Sequence, residues 1–414
     1  MTAAGRLAAA AAGYLAAELA VHALVRALRP DFPWLVSRRD LAPEIPAALV
    51  ERHAARSFDP ELGWCRRAGE HGTETTDRGT TSWAVDERGR RRDPRLDGGA
   101  AVACFGDSYT FCRLVDDDET WPHLLSRALG VGVANYGVGN YGLDQALLRL
   151  ERELPTLEAD VVVMGVVPET VARVHSYWKH YFEYGNVLAF KPRFTLGPDG
   201  LVPHPSAVDD PGGYATYRER LPEITRLDPF HATKFRRDLL DFPYLPRLLR
   251  RARRHLPVLA HLLTGIGRGP ERRERAVRAA FGVVLRDNAR WTARLCADPD
   301  ARRLLRALVE RFAARCRAAG KHPVLLVVPQ PVDLERPDGG TAHEEVFAGL
   351  RSTLPVVDVT ERFRRDPRWR ELFTLGRLGP HCGPRGNAVV ADALRPVVAP
   401  LLSGSTATTT STRG

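Results

Sequence analysis

A serine acts as a nucleophile only where the backbone presents its hydroxyl and a base stands beside it. The run Phe105-Gly106-Asp107-Ser108-Tyr109-Thr110 meets the first condition. A short apolar stretch, Ala100 to Phe105, reads as a buried strand, and Gly106 permits a tight turn at its end. A helix starting near Ser108 would aim backbone N–H groups at a developing oxyanion. The pattern is not the Gly-x-Ser-x-Gly elbow of the α/β-hydrolases. Taken alone, the Gly-Asp-Ser triplet is a weak signal, and an Asp-Ser turn or a helix cap without chemistry is the better account of it. The elements around it have to decide.

Those elements alternate. After the first strand, Asp116-Asp117-Asp118-Glu119 and Pro122 mark the start of a helix over Trp121 to Leu129. A second strand is expected at Val131 to Asn135, a helix at Leu143 to Leu154 and a third strand at Asp160 to Val167. Val324 to Val328 and Val356 to Val359 read as strands four and five, with a helix near Glu344 to Leu350 between them and a last helix over Asn387 to Leu401. Strand–helix alternation predicts an α/β fold with a mostly parallel sheet covered on both faces, and such sheets carry their sites at the carboxyl ends of the strands. Residues 31 to 98 are rich in Pro, Gly, Arg and Asp and are expected to wrap the core irregularly, with short strands near Trp64 and Trp83. Between strands three and four, about 170 to 320, lies an insertion longer than any ordinary crossover. Its aromatic start, His175 to Phe194, and arginine-rich helices at Phe235 to His255 and Glu271 to Ala319 predict a helical cap.

Four segments give the triplet its context: Gly106 to Phe111, Asp116 to Pro122, Asn135-Tyr136-Gly137-Val138-Gly139-Asn140-Tyr141-Gly142 to Gln145, and His381-Cys382-Gly383-Pro384-Arg385-Gly386-Asn387. In this order they resemble the SGNH (GDSL-like) hydrolase family, and Phe58-Asp59-Pro60-Glu61-Leu62-Gly63-Trp64 resembles the lead-in of bacterial members with an N-terminal hydrophobic helix. The resemblance covers roughly residues 55 to 195 and 320 to 400. It implies a three-layer α/β/α sandwich with a sheet of about five strands, the flavodoxin-like SGNH hydrolase fold, interrupted by the helical insertion. It also implies Ser108 as nucleophile and His381, just before the last helix, as its base. Oxyanion donors would come from the backbone at the Asp107-Ser108 turn and at Gly139-Asn140, where asparagine stands in place of the usual glycine and tolerates the left-handed conformation.

Two positions depart from that pattern. Glu169, in Gly165-Val166-Val167-Pro168-Glu169-Thr170, stands where the family has an oxyanion asparagine, and a carboxylate donates no hydrogen bond unless protonated. Asn186, in Tyr184-Gly185-Asn186, is a candidate replacement donor. Gly379 and Leu378 occupy the positions of the triad aspartate. His381 then works as half of a Ser-His dyad, oriented by a backbone carbonyl, or takes a carboxylate from Asp358, Glu361 or Glu169. His175, His180, His322 and His343 lack comparable context, although His180 lies near the aromatic stretch. Tyr177, Trp178, Tyr181, Phe182, Tyr184, Phe190 and Phe194 either stack on a sugar or acyl chain, or anchor the insertion.

Composition limits the rest. The chain has 414 residues, 44% of them apolar, enough for one large or two ordinary domains. The formal charge of +10 comes mostly from arginine, but no zinc-finger spacing, RNA-binding signature or long basic run points to nucleic acid. Arg247, Arg250, Arg251, Arg253 and Arg254 either face acidic lipid or glycan or form a solvated helix face. The six cysteines are scattered and read as buried free thiols, and no metal site or cofactor is indicated. Leu7 to Val25 is one bilayer long but carries Glu18 and His22, which leaves a signal anchor, an amphipathic docking helix and a cleaved signal peptide open. If it spans, the arginines after it would hold the downstream chain on the cytoplasmic side. Ser403 to Gly414 reads as a flexible tail.

Three functions follow as expectations. The first is a serine esterase or deacylase acting on an acylated small molecule, glycan or lipid, O-acetyl on a glycan included. The second is an O-acyltransferase using the same Ser-His pair. The third is a non-catalytic glycan-binding or assembly protein on a degenerate hydrolase fold.

Overall fold

The computed structural model describes residues 2–96, 99–335, 343–376 and 379–406. Five parallel strands form the central sheet: β1 (Val102–Gly106), β2 (Val133–Gly137), β3 (Val161–Val166), β4 (His322–Val327) and β5 (Val356–Asp358). Their spatial order is β2-β1-β3-β4-β5, so the direction of winding reverses between β1 and β3. This is the flavodoxin-like order, and its ligand crevice opens at that reversal, outside the carboxyl ends of the strands. The fold is therefore the three-layer α/β/α sandwich expected from the alternation.

The strands are apolar throughout because both faces are covered. Successive side chains point to opposite faces. Ala103 and Phe105 of β1 join Tyr136, Val162, Met164 and Leu325 on one face, packed by Leu147 and Leu150 of α3 (Leu143–Glu153) and by Leu305 and Phe312 of α4 (Pro299–Ala318). Val102 and Cys104 join Val133, Val163 and Leu326 on the other, under Trp121 and Leu125 of α2 (Trp121–Leu129) and Val390 and Leu394 of α5 (Pro384–Thr406). Helix α2 opens with Thr120, whose hydroxyl accepts from the His123 amide, and closes at Gly130 in the left-handed region.

A second, antiparallel sheet was only partly foreseen. Its order is Gly379–Cys382, Phe373–Gly376, His71–Thr76, Gly79–Ala84. Part of the segment expected to be irregular, His71–Ala84, is thus a hairpin that pairs, through Gly376 and Thr76, with the hairpin carrying His381.

The chain falls into two compact units. One holds residues 51–175, 191–211 and 291–414, and so both sheets just described. The other holds residues 1–50, 176–190 and 212–290. The stretch from 170 to 320 is therefore not one body. The hairpin Arg193–Gly197 and Gly200–His204 and helix α4 belong with the sheet, whereas the N-terminal helix belongs with the helical insertion. The run expected over Glu271 to Ala319 is two helices, broken where Asp298 caps α4 by accepting from the amides of Asp300 and Ala301. In the second unit the insertion's aromatics are core: Trp178 stacks on Phe190 at 4.7 Å and Tyr181 packs edge-on to Phe235. Trp178, Tyr181 and Phe190 are fully buried, so they anchor the insertion and offer no stacking platform. All six cysteines are free thiols, Cys65 partly exposed and the others buried.

Candidate active site

The site is built at the end of β1. Gly106 has φ 153°, and a Cβ there would collide with the Gly165 carbonyl oxygen. A Cβ on Gly137, at the end of β2, would collide with the Phe111 amide. Glycine at these two strand ends lets the short helix Ser108–Phe111 settle against the carboxyl edge of the sheet. Asp107 caps this helix: its Oδ1 accepts from the Tyr109 amide at 2.8 Å, and its backbone carbonyl accepts from Thr110 and Phe111. The Asn135 amide of β2 donates to the Thr110 carbonyl at 2.8 Å. At the other end, Arg91 donates to the carbonyls of Phe111, Cys112 and Val115 at 2.7–2.9 Å. The Ser108 helix is thus held at both ends by buried polar side chains.

Oγ of Ser108 lies 2.9 Å from Nε2 of His381, and both residues are buried, at 6% and 8% exposure. His381 comes from the strand Gly379–Cys382, opposite Thr374. Tyr109 fixes that strand from the Ser108 helix: its hydroxyl donates to the Pro380 carbonyl at 2.9 Å and its ring lies 4.8 Å from the imidazole.

Among the described residues no carboxylate pairs with the imidazole. Nδ1 of His381 is buried and makes no hydrogen bond of normal geometry among the described residues, although the Gly379 backbone beside it favours a proton there. The three acids considered for this place are engaged elsewhere. Asp358 accepts from the Thr360 amide, Glu361 pairs with Arg364 and Arg365, and Glu169 pairs with Arg173 at 2.8 Å. Leu378 lies outside the described residues. Burial, reinforced by the nearby Arg113 and less strongly by Arg173, holds the His381 imidazole down to about 3. The ring is therefore neutral near pH 7. With its proton on Nδ1, Nε2 is free to accept from Ser108.

Arg173 was not anticipated. Buried below the site, it reaches Glu169 with one terminal nitrogen and, with the other, Asp107 Oδ2 at 3.3 Å and the Tyr141 carbonyl at 3.2 Å. Asp107 Oδ2 also accepts from the Val167 amide. One guanidinium therefore ties the turn before Ser108 to the end of β3, and Glu169 is turned into an ion pair. The i,i+4 spacing of Glu169 and Arg173 was the available signal. Arg113 was missed as well: its amide donates to the Ser108 carbonyl at 3.3 Å and its side chain pairs with Glu74 of the antiparallel sheet at 2.8 Å.

Among the described residues two non-glycine residues have positive φ: Cys112, which ends the Ser108 helix, at 58°, and Asn140, in the turn after β2, at 67°. Such conformations cost energy and cluster where geometry serves function. The carbonyl of Gly139 is held by Trp64 Nε1 at 2.9 Å, which fixes the turn. Asn140→Gly should leave this turn and any activity intact, while the β-branched Asn140→Val should lower activity at least tenfold. Steady-state rates of the two variants, read beside their melting temperatures, check this. Asn186, in the other unit, donates its side-chain amide to the Glu183 carbonyl at 2.9 Å. His180 is buried among ring side chains, with Nε2 on the Asp40 carbonyl and Nδ1 accepting from Gly185.

No family model and no curated protein matches the chain. Among solved structures it is similar to a protein from Desulfitobacterium hafniense assigned to the G-D-S-L lipolytic family. The two are 11% identical with a TM-score of 0.31, over 72% of this chain and 98% of the other.

Proposed function

We propose that the chain is a serine esterase or deacylase of SGNH type that removes an ester-linked acyl group through an acyl-Ser108 intermediate. The observation that supports it is the buried Ser108–His381 pair, 2.9 Å apart at the carboxyl edge of the sheet. Nε2 of His381 takes the hydroxyl proton as Oγ attacks the acyl carbonyl, then returns it to the departing alcohol. Water, activated by the same nitrogen, releases the acid. The tetrahedral oxygen would be met by backbone amides at the start of the Ser108 helix and at the Gly139-Asn140 turn. The acyl acceptor that replaces water in a transferase would enter at the same step.

A neutral imidazole without a carboxylate behind it is a weak base. Loss of that carboxylate costs about 10⁴ in kcat in a trypsin-type enzyme, so turnover here is expected to be slow. Its pH dependence carries a signature. The active form of His381 is unprotonated, and its proton affinity is held down to about 3. As pH falls from 7, kcat/KM should therefore hold through the range near 6.5 where an ordinary histidine titrates, and decline only toward pH 4 and below. Rates on p-nitrophenyl acetate from pH 3.5 to 8 test both the activity and this shape, with recovery on return to pH 7 separating titration from unfolding. An absence of any acyl release contradicts the esterase reading, and an acid limb near 6.5 contradicts the carboxylate-free base.

A further inference from the structure

Helix Ala3–Leu28 is long and apolar enough to cross a membrane, and it is built in two halves. Residues 6 to 16 are exposed all round, with Leu7 at 73%. From Glu18 onward the helix is docked. The Glu18 carboxylate accepts from the amides of Tyr244 and Leu245, at 2.5 and 3.0 Å, and so caps the helix Tyr244–Arg250. His22 Nδ1 lies 2.7 Å from the Tyr244 hydroxyl, and Val25 and Leu28 pack with Leu248, Val258 and Leu262. The two polar residues that weaken this segment as a simple membrane span are therefore the ones that fix it to its neighbours.

Those neighbours turn a second apolar face outward. On helix Ala252–Leu263, Arg253, Leu256, Ala260 and Leu263 follow the three- and four-residue spacing of one face, and all are exposed. Leu249 is 65% exposed on the preceding helix. The inward arginines are spent: Arg251 and Arg254 pair with Asp238 at 2.6 and 3.2 Å. Arg247, Arg250 and Arg253 make no ion pair among the described residues. Exposed leucines flanked by unpaired arginines, on an element clasped to a membrane-length helix, match the chemistry of an anionic bilayer surface. A soluble partner would leave the exposed half of the N-terminal helix uncovered.

We propose that the helices Tyr244–Arg250 and Ala252–Leu263 lie on the surface of an anionic membrane, with their exposed leucines in the acyl boundary and Arg247, Arg250 and Arg253 on lipid phosphates, beside the inserted N-terminal helix. This is independent of the esterase reading.

An environment-sensitive fluorophore on Leu256→Cys, in the full chain with Cys65→Ser, reports on this face, and the same label on Leu15→Cys reports on the N-terminal helix. With phosphatidylglycerol-containing vesicles both labels should shift to the blue. Adding Arg247→Glu, Arg250→Glu and Arg253→Glu should return the label at 256 to its aqueous emission while the label at 15 stays shifted. An aqueous signal at 256 with 15 shifted means that the N-terminal helix anchors alone and overturns the proposal. So do aqueous signals at both positions, an equal shift at 256 on pure phosphatidylcholine, and a shift that follows protein concentration instead of lipid, which would place a second copy on the face.

Discussion

Arg173→Met should cost the fold about 3–5 kcal/mol, the range for leaving a buried ion-pair partner uncompensated. The reason is geometric. Arg173 is 5% exposed and holds Glu169 and Asp107 together with the Tyr141 carbonyl. With its charge removed, two carboxylates remain side by side in a water-poor site, although Asp107 keeps its bonds to the Tyr109 and Val167 amides. Adding Glu169→Met to Arg173→Met should recover a large part of the stability, since a buried ion pair is often replaceable by apolar side chains. Urea denaturation of the four chains of this cycle gives the coupling energy directly. A single variant as stable as the parent would show that Arg173 does not hold the site. A double variant no better than Arg173→Met would assign its role to Asp107 and Tyr141 alone.

The second large effect is on rate. Ser108→Ala and His381→Ala should each lower acyl-ester turnover by at least about a hundredfold, the low end of what a positioned general base supplies. The double variant should be no slower than either single one, because the pair acts as a unit. Additive losses would mean that the serine and histidine work in separate steps. Both side chains are small parts of a site held by other groups, notably Asn135 and Arg91 on the backbone of the Ser108 helix, so melting temperatures should move little. The comparison therefore separates chemistry from folding.

The sheet was legible in the sequence because it is buried on both faces, which writes each strand as an apolar run with a 3.6-period helix after it. The order of the motifs then placed Ser108 and His381 at one edge. The antiparallel sheet that carries His381 was mostly not legible. His71–Thr76 reads His-Gly-Thr-Glu-Thr-Thr and alternates only between exposed and half-buried, so it has no apolar face to betray it and is held by its backbone ladder. Arg173 and Arg91 were missed for a different reason. A buried arginine is recognised by the carbonyls and carboxylates it reaches, and those of Arg91 lie 20 to 26 residues away in sequence. The split of the insertion was hidden too, since the partner of Tyr244 is Glu18, 226 residues upstream.

The central claim is that Ser108 is a nucleophile activated by His381, and covalent labelling tests it most directly. The intact chain treated with a fluorophosphonate should gain the mass of one phosphonyl group, fragmentation should place that group on Ser108, and both Ser108→Ala and His381→Ala should abolish or greatly slow its addition. An unlabelled parent chain, or a Ser108→Ala chain labelled as fast as the parent, would contradict it.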